Sequence, residues 1–113
     1  PLSETWLPAV DVQEDKNNVV VQAEIPGMKK EEFEVYLSGD DLVIAGERKS
    51  ESEEKRAGRY RAERYFGRFD RRIALPSAVD GSKIDAHYKD GVLTVTCPKT
   101  EEAKPKPIEV KGD

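Results

Sequence analysis

The sequence predicts an all-β chain, a sandwich of antiparallel sheets, on three observations. Apolar and polar residues alternate over short runs. Turn residues separate those runs at intervals of roughly 8–12 residues. No long stretch carries the apolar spacing of a helix, and no repeat period is visible. Alternation alone leaves the topology open.

Each element has its own justification. Val10 and Val12 alternate with Asp11 and Gln13, which is strand spacing over Val10 to Glu14. Asp15-Lys16-Asn17-Asn18 is a turn cluster, and the β-branched run from Val19 to Ile25 stops at Pro26-Gly27. The two strands form a hairpin. Lys29 to Glu32 has room for one helical turn. Phe33, Val35 and Leu37 then alternate with Glu34 and Tyr36. The chain turns at Ser38-Gly39-Asp40-Asp41, and a second strand led by Leu42, Val43 and Ile44 ends near Gly46. Arg48 to Gly58 is charged and lacks large apolar groups, so it reads as an exposed loop. Tyr60 to Tyr65 reads as a short separate strand. Phe69, Arg71, Ile73 and Leu75 mark a longer one closed by Pro76. The last pair, Ile84 to Tyr88 and Val92 to Cys97, is joined by Asp90-Gly91, a two-residue hairpin turn. Residues 99–113 read as a flexible tail.

The chain has 113 residues and mass 12.7 kDa, enough for one domain with a thin core. Hydrophobic residues make up 36% against 37% charged, short of the composition of wholesale disorder. The net charge of −4 excludes a globally basic nucleic-acid binder. No apolar run approaches the ~18 residues of a membrane helix. Cys97 stands alone, so the fold uses no internal disulfide, which suits a reducing cytoplasm. Residues 1–9 lack the pattern of a signal peptide, and a start at Pro1 reads as an excised fragment. All eight arginines fall between Arg48 and Arg72; ten basic against five acidic residues give that segment +5 and leave −9 for the rest. A positive stripe on an acidic body favours self-association. The arginines near Tyr60, Tyr65, Phe66 and Phe69 resemble a single-strand binding face only superficially, because Glu51, Glu53, Glu54 and Glu63 dilute them.

Catalytic chemistry has no foothold. His87 is the only histidine and with Cys97 cannot complete a metal site; neither C-x-x-C nor H-E-x-x-H occurs. No third group orients a nucleophile–base pair built on His87. The phosphate-loop pattern is absent, so no nucleotide cofactor is expected. Asp40-Asp41 sits in a solvated turn rather than a pocket. The expectation is a non-enzyme without cofactor or metal.

The order of several motifs carries a resemblance. Trp6-Leu7-Pro8-Ala9-Val10-Asp11-Val12 opens it, followed by Glu24-Ile25-Pro26-Gly27 and Leu42 through Arg48. Tyr60-Arg61-Ala62-Glu63-Arg64 and Gly67-Arg68-Phe69 come next. Phe69-x-Arg71 leads to Leu75-Pro76, and Ala86 is followed by Gly91-Val92-Leu93 at the spacing A-x-x-x-x-G-V-L. The chain resembles the alpha-crystallin domain of bacterial and plant-type small heat shock proteins over about residues 6–99, plus the tail. The apolar N-terminal arm usual in that family is missing.

The resemblance implies an immunoglobulin-like β-sandwich with a loop strand exchanged in a dimer. Residues 1–9 would be a linker stub, 10–98 the domain with its exchange loop and strand at 49–64, and 99–113 a C-terminal extension. Ile108 and Val110 lie at i and i+2, so in an extended chain they point to one side. Pro105 and Pro107 favour that extended form. The resemblance implies that this I-x-V motif docks on a neighbouring subunit by strand addition, in a groove drawn from Val35, Leu37, Ile84 and Ala86 with Leu93 in its floor. It also implies that Tyr60, Arg61, Ala62, Glu63 and Arg64 cross to the partner's first strand, Val10, Asp11, Val12 and Glu14 among its residues. The charges agree, a basic segment meeting Asp11 and Glu14. Arg71, between apolar Phe69 and Ile73, would be an interface ion-pair residue whose acid the sequence does not name. The expected function is an ATP-independent holding chaperone in the cytoplasm. Its partners would be itself, as homodimer and higher homo-oligomer, and non-native client proteins, with no nucleic acid and no membrane span. The alternative is a β-sandwich co-chaperone or adaptor binding one folded partner, which would be a monomer.

Overall fold

The sandwich follows from how these short strands pair. In the computed structural model the described residues are 3–5, 7–52 and 63–113. The strands are β1 (Ser3–Thr5), β2 (Val10–Glu14), β3 (Asn18–Glu24), β4 (Phe33–Ser38), β5 (Asp41–Ser52), β6 (Glu63–Ala74), β7 (Asp85–Lys89) and β8 (Val92–Pro98). They form two four-stranded sheets, ordered β1-β6-β5-β4 and β2-β3-β8-β7. Every pairing is antiparallel except that of β1 with β6.

The predicted alternation sets the core. Val19, Val21 and Ala23 of β3 face Cys97, Val95 and Leu93 of β8 in register, and all six are buried. Leu42 and Ile44 of β5, with Phe69 and Ile73 of β6, supply the opposing layer. Val43 points the other way, yet it is fully buried between its register neighbours Tyr36 and Arg72 on the outer face. Asp90 and Gly91 have φ of 51° and 79°, the left-handed pair that a tight hairpin turn requires. Tyr88 fastens the Pro26-Gly27 corner: its hydroxyl donates to the Ile25 carbonyl at 2.6 Å and lies 2.8 Å from that of Met28.

Three expectations change. β5 does not end near Gly46; it runs on through Arg48 to Ser52 in unbroken register with β6, so the first five residues of the predicted loop are strand. Backbone ladder bonds need no apolar face, and alternation gives no sign of a strand held that way. Glu63 and Arg64 are not part of a separate short strand but open β6, which continues through Gly67 to Ala74. Finally, the tail is not loose from its first residue. Lys99 is buried, and Thr100 caps a 3-10 turn over Glu101–Ala103 by accepting from the Ala103 amide. Glu101 then binds the Lys104 amine at 2.7 Å.

Candidate functional site

Edge strands present the polar backbone atoms through which a sheet can accept another chain. Strands β4 and β7 lie at the edges of different sheets but on the same side of the sandwich. The rings of Phe33 and Tyr88 meet edge to face at one end, with centroids 4.9 Å apart and planes at 75°. At the other end a Cβ placed on Gly81, just before β7, would stand 3.3 Å from Leu37 Cδ2. Between these contacts run Val35 and Leu37 from one edge and Ile84 and Ala86 from the other. Val35, Leu37 and Ile84 are half-buried, while Ala86 is exposed. Ala86 shares strand parity with half-buried Tyr88, so the two lie on the same face of β7. Leu93, the register partner of Tyr88, is 2% exposed and belongs to the core.

The tail carries two exposed apolar side chains. Ile108 and Val110 are 85% and 88% exposed, the most exposed of the large apolar side chains described. They follow Lys104, whose backbone is extended at φ −78° and ψ 149°.

On the opposite side, β2 pairs only with β3 among the described residues, leaving its outer edge open. Val10 packs on the core, Val12 is 38% exposed, and Asp11 is exposed. Glu14 is not a free acid awaiting a basic strand. Its Oε2 lies 2.7 Å from Lys99 Nζ and accepts from Ser77 Oγ at 2.6 Å. The bond to Lys99, then that to Ser77, holds its carboxyl below the usual range. Lys99 is the missed residue: placed in a polar tail by sequence, it is the one buried charged side chain among the described residues.

The exchange segment is seen only in part. Tyr60, Arg61 and Ala62 lie outside the described residues. Glu63 and Arg64 pair with Ser52 and Glu51 of their own chain. Arg71 stands on β6 between Phe69 and Ile73, at 2% and 7% exposure, as the alternation requires. Its Nε is buried with no hydrogen-bond partner, whereas exposed Arg72 next to it reaches Asp41 at 3.4 Å.

Other chemistry-bearing residues do not converge. Among the described residues no three His, Cys, Asp or Glu side chains group as metal ligands. His87 pairs with Asp85 at 3.0 Å on an exposed face. Cys97 is fully buried, and desolvation pushes its thiol up, away from the reactive thiolate. No helix of the described residues is long and apolar enough to cross a membrane.

The described residues form a two-sheet sandwich with open edge strands and a tail that carries two exposed apolar side chains. The Hsp20/alpha crystallin family model matches residues 11–111. Spore protein SP21 of Stigmatella aurantiaca is 41% identical over 105 residues, covering 93% of this chain and 62% of that protein. Heat shock protein 16.0 from Schizosaccharomyces pombe has a similar structure, with TM-score 0.74 and 38% identity over 94% of this chain and 99% of that one. A small heat-shock protein from Xylella fastidiosa gives TM-score 0.68 and 38% identity over 95% and 98% of the two chains. The chain belongs to the Hsp20/alpha crystallin family, the small heat shock proteins, whose family role is that of chaperones. It spans just under two thirds of the length of the spore protein.

Proposed function

We propose that the chain is an ATP-independent holding chaperone that binds partly unfolded proteins and keeps them from aggregating. It assembles through strand-exchanged dimers and through docking of Ile108 and Val110 into the slot between β4 and β7 of another subunit. The observation that carries this reading is the near-complete exposure of those two side chains, on a chain whose β4 and β7 edges carry the half-buried apolar residues Val35 and Ile84. Burying both would contribute roughly 3–6 kcal/mol. Association costs on the order of 4–15 kcal/mol, so a single tail binds weakly and many tails hold by avidity. Such an assembly exchanges subunits and uncovers apolar surface when clients appear. The orphaned Arg71 Nε supports a dimer in which a partner chain supplies the acceptor. The buried free thiol of Cys97 suits a reducing cytoplasm. The Xylella fastidiosa relative is described as having a distinct high-order structure, which supports assembly here.

Sizing in solution tests the proposal. The parent chain should form particles larger than a dimer, and the Ile108→Ala/Val110→Ala variant should shrink to the dimer. Light scattering from a heated client protein should fall when the parent is added. Equal sizes for the two chains would remove tail docking, and a monomer would favour an adaptor that binds one folded partner. No suppression of scattering at several-fold excess, even by a chain extended to the full length of its relatives, would remove the chaperone reading.

A further inference from the structure

The buried amine of Lys99 lies at a junction that the proposed function leaves unused. Its Nζ meets Glu14 Oε2 at 2.7 Å, with the Lys99 side chain 6% exposed and that of Glu14 35% exposed. Ser77 Oγ donates to the same oxygen at 2.6 Å. The backbone is fastened there as well. The Lys99 amide donates to the Asn17 carbonyl at 2.8 Å, the Thr100 amide to Ala78 at 3.1 Å, and the Asp80 amide to Pro98 at 2.8 Å. Four segments therefore meet at one point: the end of β2, the β2–β3 turn, the crossover after Pro76, and the root of the tail.

Glu14 terminates the open edge strand β2, and Lys99 begins the segment that ends in Ile108 and Val110. An ammonium this buried cannot give up its carboxylate without leaving an unpaired charge, so the pair moves as a unit. We infer that the Lys99–Glu14–Ser77 junction couples the two assembly surfaces, so that a strand arriving on β2 and the tail leaving from Lys99 respond to one another. The inference rests on the proposed assembly in taking β2 and the tail as those surfaces. Coupling of this kind is reciprocal: a perturbation at either end is felt equally at the other. Lys99 and Glu14 act here as positioning residues.

Hydrogen exchange on the full chain reads the link directly. Glu14→Gln, which changes only β2, should speed exchange of the Lys99 and Thr100 amides on the order of tenfold. Lys99→Met, which changes only the tail root, should do the same for the Asp15 amide, which donates to Asn18 across the β2–β3 turn. The Val21 and Val95 amides in mid-sheet should keep their rates in both variants, showing that the fold is intact. Acceleration below twofold at the distant end in either variant overturns the coupling. In the Ile108→Ala/Val110→Ala background, Lys99→Met should also raise the dimer dissociation constant on the order of tenfold. An unchanged constant overturns the inference and makes the junction a local fastening. A parent that is monomeric at every concentration would defeat the assembly reading instead, and the exchange rates would still decide whether β2 and the tail root are joined.

Discussion

Gly46 is where the β4–β5 hairpin tolerates least. A Cβ there would stand 2.8 Å from Phe33 Cβ, 2.8 Å from Phe69 Cε2 and 2.9 Å from the Glu32 carbonyl oxygen. All three are closer than real carbon contacts allow. Two of the three obstacles are a main-chain oxygen and a Cβ held by its own backbone, and neither can swing aside. The third belongs to a ring that is 2% exposed. Gly46→Ala therefore forces β4 and β5 apart at the Phe33 end, and overpacking of this kind costs about 1–3 kcal/mol. At about 4 °C per kcal/mol for a domain of this size, the melting midpoint should fall by about 4–12 °C. Gly67→Ala is the control, since nothing lies within 4 Å of its Cβ position on β6. It should stay within about 0.5 kcal/mol of the parent. Thermal unfolding by circular dichroism at one fixed protein concentration compares the three chains, because assembly makes the midpoint concentration-dependent. A Gly46→Ala midpoint within a degree of the parent, or an equal loss in Gly67→Ala, would refute the packing argument. Phe33 also meets Tyr88 edge to face between β4 and β7, so on the proposed assembly the same substitution should weaken tail docking.

Two further outcomes follow from single contacts. Tyr88→Phe leaves the Ile25 and Met28 carbonyls without their shared hydroxyl, and urea unfolding should show a loss of about 1–3 kcal/mol. Acid should loosen one end of the sandwich first. Four carboxyls there are held low: Glu14 by Lys99, Asp15 by the Asn18 amide, Asp80 by Ser82 and Glu101 by Lys104. A depressed carboxyl stabilises the fold above its unfolded value and ceases to do so as pH falls through its folded one. Stability should be flat from neutral pH to about 5 and should drop progressively below that. Amide exchange at Thr100 and Ser82 should rise before exchange at Val21 if these four pairs are responsible.

Most of the architecture was legible because alternation reports which face of a strand is buried. Val19, Val21 and Ala23 opposite Leu93, Val95 and Cys97 are such a case. So are Phe69 and Ile73 on either side of Arg71, where the apolar neighbours announced a partly buried arginine. Two features gave no such signal. The far halves of β5 and β6 are held by backbone pairing through a polar stretch, so strand and loop read alike there. Lys99 looked like the first residue of a hydrophilic tail, because its burial depends on Glu14, eighty-five positions earlier in the chain. The alternation of Val10 and Val12 with Asp11 and Gln13 marked β2 as a strand, but it could not reveal that Glu14 at its end was already engaged.

The two halves of the tail differ in a way that bears on how assembly would be directed. Residues 99–104 are tied down by the Glu14 pair, the Thr100 cap and the Glu101–Lys104 bond. Ile108 and Val110 project freely into solvent. Between them lie Pro105, Lys106 and Pro107, and Lys106 Nζ reaches back to the Glu101 carbonyl at 3.2 Å. Proline-rich chain extends by about 3.1 Å per residue and is stiff over several residues, so Ile108 stands about 12 Å beyond Lys104 in a restricted set of directions. A flexible linker would let the motif search its own slot and every neighbour's alike. A short stiff one on a fixed root raises the local concentration only at slots that match its span and direction. On the proposed reading, subunit geometry would then be set less by the two aliphatic side chains than by the anchored root that aims them. Replacing Pro105 and Pro107 with glycine should therefore broaden the distribution of particle sizes while leaving the motif itself intact.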